Sequence, residues 1–501
     1  MSRRLLLVPT LLAALAWAAG PADAQHRQLG AIDFPNSGSA AAQGPFMEGV
    51  LLLHSFEFED AALAFRSAQE ADPDFALAFW GEAMTYNHPL WRQQDKAAAL
   101  AALDRYAPTP TARAEKAPTE REAAYLATLD ILYGKGTKAE RDADYMRAMA
   151  RLSAAYPDDL EARAFHALAI LGSTDGERDF ATYMRAAAVA QPVFDANPDH
   201  PGAVHYIIHS FDDPVHAPLG LAAARAYSGV APDAGHAQHM TSHIFVALGM
   251  WDDVVAANIR ARDVQNARNA ELGRGPNVCG HYTAWLHYGW LMKGSADDAQ
   301  RGMDECAQLV RSGEANPGEV SYFVSMRARH VFDTGEWDAA RSITADVDHP
   351  GYVFVSGYAA AQEGDRTEGS NALATLRAAY PGDDDPRGSI MRLELEALIA
   401  LDSGDGERAV QLLHEAVAIE ESLPFEFGPP ASLKPPHELL GEVSLELGEN
   451  AAALEAFRRA LDFTPERTVA LRGVVVAAEA LGESEAATDA RARLERILGS
   501  M

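Results

Sequence analysis

Nine of the chain's 17 histidines fall between residues 200 and 287, and four of them are regularly spaced. His205 and His209 form an H-x3-H pair. His239 and His243 form a second pair, 34 residues after the first. Residues four apart stand one turn apart on a helix, so each pair shares a face. Imidazole nitrogen is a ligand for zinc, copper or nickel, and three or four such nitrogens at about 2.0–2.1 Å would hold one ion. The same rings could instead hold the carboxylate of a bound peptide, gaining charge as pH falls toward about 6.5. A third reading is plain packing, since repeats copy residues. His236, three residues before the second pair, and Asp212, Asp213 and His216, in the turn after the first pair, are further ligands or partners of ligands. His281 and His287 follow on the next unit.

The elements that must position these rings are helices. The chain has 501 residues, too many for one compact core, and it is rich in alanine. Ala61, Phe65, Ala68 and Pro73 fit A-x3-F-x2-A-x4-P, and Ala453, Phe457, Ala460 and Pro465 repeat that spacing. Each run follows an earlier helical stretch holding a small residue, Gly49 or Gly441. This resembles the second helix of a tetratricopeptide repeat. Small residues let antiparallel helices approach, phenylalanine fills the gap between units, and proline stops the helix. Gly249, Gly294 and Gly335 sit where turns would join paired helices. Pro198 and Pro232 are 34 residues apart, as are His54 and His88, which is this repeat's period. The expected fold is an all-α, right-handed superhelical solenoid of tetratricopeptide-like hairpins. First helices line the concave groove of such a solenoid, and both histidine pairs fall on first helices. Neighbouring helices about 8–10 Å apart would let the four rings share a cation.

Residues 1–24 read as a secretory leader: Arg3 and Arg4, an apolar run from Leu5 to Ala19, then Ala22-Asp23-Ala24. Residues 25–41 read as a flexible segment. The solenoid is expected over 42–423, with its histidine-rich part at 200–287. A segment with five prolines, at 424–436, is a connector or a lid over the groove, and further repeats fill 437–501. The formal charge of −30 repels phosphate backbones and argues against nucleic acid as a partner. No stretch after the leader has the apolar length of a membrane span, so the chain is expected to be periplasmic or secreted. An oxidising compartment permits a bridge between Cys279 and Cys306, whose positions fall at neighbouring ends of two antiparallel helices.

A second aromatic and histidine cluster runs from Trp80 through His88 to Trp91. It reads as an aromatic wall beside His88 or as ordinary core. The sequence contains no H-E-x-x-H, C-x-x-C-H, G-x-S-x-G or phosphate-loop motif, so nothing in it forces an enzyme.

The runs His205-Tyr206-Ile207-Ile208-His209-Ser210 and His236-Ala237-Gln238-His239-Met240-Thr241-Ser242-His243-Ile244-Phe245 resemble a group of exported bacterial tetratricopeptide proteins carrying H-x-x-H-M-P-x-H-I. Thr241 stands where that group has proline. Trp80 to Trp91 and Phe427-Gly428-Pro429-Pro430 resemble it as well. The resemblance implies the repeat fold and no particular activity. Two functions follow as expectations. One is a binding scaffold that holds a peptide, protein segment or small ligand in its groove, with His205, His209, His236, His239, His243, Asp212, Trp80 and His88 as contacts. The other is a zinc or copper protein, or a metal-dependent enzyme, ligated by His205, His209, His239 and His243.

Overall fold

The structure is a computed structural model and describes residues 27–174, 178–342, 347–382 and 385–499; the leader read at 1–24 lies outside them. Antiparallel helical hairpins follow one another along the chain, and one two-residue β-pair, Asn87–His88 with Gln93–Gln94, is the only sheet among the described residues. This is the all-α solenoid read from the sequence. The expected turns are present, with Gly249, Gly294 and Gly335 at φ 64°, 72° and 70°. That left-handed region accepts glycine without a Cβ penalty.

The two A-x3-F runs form the helices Phe58–Ala71 and Asn450–Phe463. Phe65 is wedged between Gly49 and Gly81, where a Cβ would come within 2.8 Å and 2.2 Å of its ring. Phe457 is wedged in the same way between Gly441 and Gly473, at 2.7 Å and 2.4 Å. One aromatic ring thus fixes the spacing of three helices at each site.

Residues 27–39 are not the free segment expected there. Leu29 and Phe34 are buried. The Ala31 amide donates to the Asp199 carbonyl at 2.9 Å, and the Gln28 amide donates to Asp233 at 2.6 Å. Two apolar anchors and a short ladder of backbone bonds outweigh the entropy of a loose strand.

The superhelix winds tightly enough for both ends to close on its middle. At one side, His54 of helix Ala40–His54 meets the Tyr206 hydroxyl at 2.8 Å, and Arg268 donates to Asp60 at 2.7 Å. At the other, Trp251 donates to the Glu466 carbonyl at 3.3 Å, and the backbone at Gly428 lies against the Trp285 ring. The concave surface between residues 200 and 290 is therefore covered from both flanks. Cys279 and Cys306 are bridged, with Cα atoms 4.7 Å apart. The bridge ties the chain two residues before His281 to the partner helix Ala296–Ser312.

Candidate metal centre

Three first helices supply the rings. Pro201–Phe211 carries His205 and His209, Gly235–Ala247 carries His236, His239 and His243, and His281–Met292 opens on His281. The first begins with Pro201, whose fixed φ suits the first helical position, and His200 caps it by accepting from the Ala203 amide at 3.2 Å. All the rings but His281 belong to buried residues, because the covered groove leaves them little access to solvent.

The rings gather as two triads. Nitrogens of His205, His209 and His236 lie within 4.8 Å of one another, and so do nitrogens of His239, His243 and His281. His209 and His243 join the triads, their ring centroids 5.5 Å apart. The four histidines singled out from spacing are brought together, but not as one set of four. His236 and His281 complete the triads, and each H-x3-H pair belongs to one of them.

Hydrogen bonds decide which nitrogen four of the rings offer. His205 Nδ1 is 2.7 Å from the His54 carbonyl, so it must donate. His209 and His243 Nδ1 both face Asp212 Oδ2, at 3.2 and 3.0 Å. His239 Nδ1 is 2.7 Å from Asn258 Oδ1, and Asn258 is oriented because its amide donates to the Val254 carbonyl at 2.9 Å. Four rings thus commit their Nδ1 protons to fixed acceptors, and their Nε2 lone pairs are bare. Nε2 of His205, His209 and His236 has no hydrogen-bond partner at all. His239 Nε2 lies 3.2 Å from His243 Nε2 and 2.9 Å from His281 Nε2. His281 can donate one proton to His239, but the His239–His243 contact sets lone pair against lone pair. Two ligands at about 2.0–2.1 Å on a tetrahedral ion stand about 3.3 Å apart, which is this separation.

A proton is a poor occupant of this space. Burial, with neighbouring imidazoles, drives His205, His236 and His239 well below the ordinary imidazole value and His281 down to about 3. Burial lowers His209 as well, though Asp212 pulls the other way. Burial would raise Asp212, yet Arg178 at 2.6 Å and the two imidazole donors outweigh it and hold the carboxyl well below its usual range. A carboxylate behind the ring, fixing tautomer and orientation, is the arrangement that supports histidine ligands in metal sites.

Aromatic rings wall the cluster. Phe56 lies 4.2 Å from His205, centroid to centroid, and its backbone is left-handed at φ 57°, a strained setting for a non-glycine residue. Trp285 stacks on His243 at 4.6 Å, and Phe427 of the proline-rich segment lies 4.8 Å from the same ring. The 424–436 segment thus covers the triads as a lid would. Trp91, 46% exposed, stands 5.7 Å from His236.

Other candidates lie elsewhere. Trp80 is core, edge-on to Phe34, Tyr125 and Phe165. His88 stacks on Phe58 at 4.0 Å and holds the Thr85 carbonyl, beside the aromatic wall and not among the imidazoles. The 34-residue echo of His54 and His88 does not bring them together. His54 meets Glu161 at 2.7 Å, and His200 meets the other Glu161 oxygen at 3.1 Å. Asp213 and His216 pair with each other at 2.9 Å, and His287 sits beside His330. Phe56, Asn258, Trp285 and Arg178 were not singled out from the sequence. Arg178 alone carried a signal, since it precedes Asp212 by one repeat period of 34.

The Glu161 network holds the His54 carbonyl that orients His205. Burial opposes its charge, but His200 and His54 bring the carboxyl down to about 2 from 4.5. A lowered acid stabilises the fold above its unfolded value, and that contribution fades as pH falls from 4.5 to about 2. Glu161→Gln is expected to cost about 3 kcal/mol at neutral pH and to flatten stability across that acid range. Urea denaturation at several pH values measures both.

The stacked hairpins and paired glycine–phenylalanine wedges set the class. The fold is a tetratricopeptide-type solenoid. No protein-family model and no curated protein sequence matches the chain. Solved structures similar in fold include Cut9–Hcn1 of the APC/C (11% identity, 89% of this chain and 78% of that chain, TM-score 0.33). They also include the yeast Tom70 (11% identity, 89% of each chain, TM-score 0.32). A third is the P58(IPK) TPR domain (12% identity, 89% of this chain and 99% of that chain, TM-score 0.22). The likeness is one of fold alone. No helix among the described residues is long and apolar enough to cross a membrane.

Proposed function

We propose that this chain is a transition-metal protein that holds zinc or copper through the imidazoles of His205, His209, His236, His239, His243 and His281. One observation carries the reading: buried Nε2 atoms converge, and in His205, His209, His239 and His243 the Nδ1 atoms behind them are committed to fixed acceptors. Leaving so many buried acceptors unpaired is costly, and a cation shared among them removes the cost. The leader at residues 1–24 and the Cys279–Cys306 bridge support an exported protein, periplasmic or secreted.

The test is elemental analysis of the chain purified without a histidine tag. The wild type is expected to retain stoichiometric zinc or copper, and His239→Ala with His243→Ala to lose at least half of it. A wild type that takes up no metal after supplementation removes the reading.

A scaffold role for the solenoid has its own support away from the histidines. A groove of about 660 Å³ in the C-terminal half is lined by Phe332, Trp337, Leu398, Leu401, Lys434 and Glu442. Its mixed apolar and charged lining suits a peptide segment. Capture of a peptide by the wild type but not by Trp337→Ala would support that role, and equal capture by both would end it.

A further inference from the structure

We infer that the six histidines form a two-copper centre, one ion in each triad, that takes dioxygen between the ions. This rests on the metal reading above and deepens it.

The triads are separate but adjacent. His205, His209 and His236 form one, His239, His243 and His281 the other. Centroids of 5.5 Å for His209–His243 and 6.0 Å for His236–His239 bring the two sets side by side. One carboxylate serves both, since Asp212 Oδ2 accepts from His209 of the first triad and His243 of the second. Each set supplies three protein nitrogens, which leaves an open position on its ion, as in metal sites that bind a small molecule.

Charge selects the ion. Imidazole ligates as a neutral group, and the one carboxylate hydrogen-bonded to these rings is already paired with Arg178 at 2.6 Å. Nothing in either triad offsets the charge of two dications. Coulomb repulsion between monocations is a quarter of that between dications at the same distance. Cuprous ions meet that demand, accept imidazole and tolerate three ligands; a zinc pair would need an added bridging anion. Phe56, Trp285 and Phe427 lie against the imidazoles and make the walls around the triads apolar, which suits dioxygen better than water.

Two adjacent cuprous ions are a two-electron donor. Dioxygen entering between them takes one electron from each. The O–O π bond breaks, the σ bond is kept, and peroxide dianion bridges two cupric ions. The total charge stays at +2, no proton moves, and the bridging dianion now screens the two dications from each other.

The experiment loads metal-free protein with cuprous ion in the absence of air, counts copper per chain, then admits air. Absorption and electron paramagnetic resonance are recorded. Expected are two coppers per chain, a peroxide-to-copper charge-transfer band after air, and almost no resonance signal because the bridge couples the spins. His236→Ala and His281→Ala should each retain one copper and give no band, with thermal melts near wild type showing that each is folded. One copper per wild-type chain overturns the pair while leaving the metal reading intact. Two coppers with a full, uncoupled cupric signal in air overturn dioxygen bridging. No copper at all, with no other metal in its place, removes both readings.

Discussion

Asp212→Asn is expected to weaken metal binding at both triads together, by about 10–100-fold, and to lower stability by about 3 kcal/mol. The carboxylate makes three demands that an amide cannot meet at once. Its Oδ2 accepts from His209 and His243, and its Oδ1 accepts from Arg178 at 2.6 Å. An asparagine has one oxygen. If the oxygen faces Arg178, the amide N–H groups face the imidazoles, which must then accept at Nδ1. A neutral imidazole accepting there carries its proton on Nε2 and loses the lone pair needed for the ion. If the oxygen faces the imidazoles, the amide nitrogen meets a buried guanidinium. Asp213, at 3.2 Å from Arg178, softens the second cost but leaves the first. Asp213→Asn is the control: it should leave metal affinity within about twofold, because Asp213 touches no triad ring. Titration against a chromophoric chelator measures affinity, and urea denaturation measures stability. Wild-type affinity in Asp212→Asn would show that ring orientation is set elsewhere. The sign with pH follows from the depressed carboxyl. Its stabilisation is complete above the ordinary aspartate value of 3.8 and is lost as pH falls below it.

What the sequence could show of this site was periodicity. The 34-residue echo placed both H-x3-H pairs on equivalent faces of successive first helices, and the folded chain brings those faces together. The glycine turns and the Phe65 and Phe457 wedges were legible for the same reason, since each is a local pattern copied along the chain. Closure was not legible. Phe56 reaches His205 across about 150 residues, and Phe427 reaches His243 across more than 180, by a winding that no local pattern encodes. That winding turns an expected open groove into a covered one, with Trp91 at its edge. It also explains why Trp80 is core while Trp91, eleven residues later, stands half-exposed beside His236. Trp80 points between stacked hairpins, against Phe34, Tyr125 and Phe165. Trp91 sits on the edge that the superhelix folds over the histidines.

Arg467→Met should unfasten the lid without touching the histidines. Arg467 is buried at the foot of the C-terminal repeats. It donates to Asp333 at 2.5 and 3.2 Å and pairs through Nε and Nη2 with Glu438. One guanidinium therefore ties helix Pro317–Thr334 to helix Pro436–Glu446, and the latter anchors the end of the 424–436 segment. Methionine fills much of the volume but leaves two buried carboxylates facing each other, with Lys434 at 3.7 Å from Glu438 and Arg329 near Asp333 as the cations that remain. Breaking a buried ion pair from one side costs about 3–5 kcal/mol, mostly from the charges left behind. The loss should be local. Phe427 would lift from His209 and His243, proteolysis within 424–436 would quicken, and bound metal would exchange with chelator at least tenfold faster. Replacing all three partners, as Arg467→Met, Asp333→Leu and Glu438→Leu, should recover part of the stability, because the facing carboxylates are gone and Lys434 keeps Glu442, while Arg329 loses Asp333. It should also restore slow metal release. If the triple variant is stable but still releases metal quickly, the ion pair holds the lid by geometry and not by strength. If the single variant releases metal at the wild-type rate, Phe427 is not the barrier, and the opening beside Trp91 is the path by which the ion leaves.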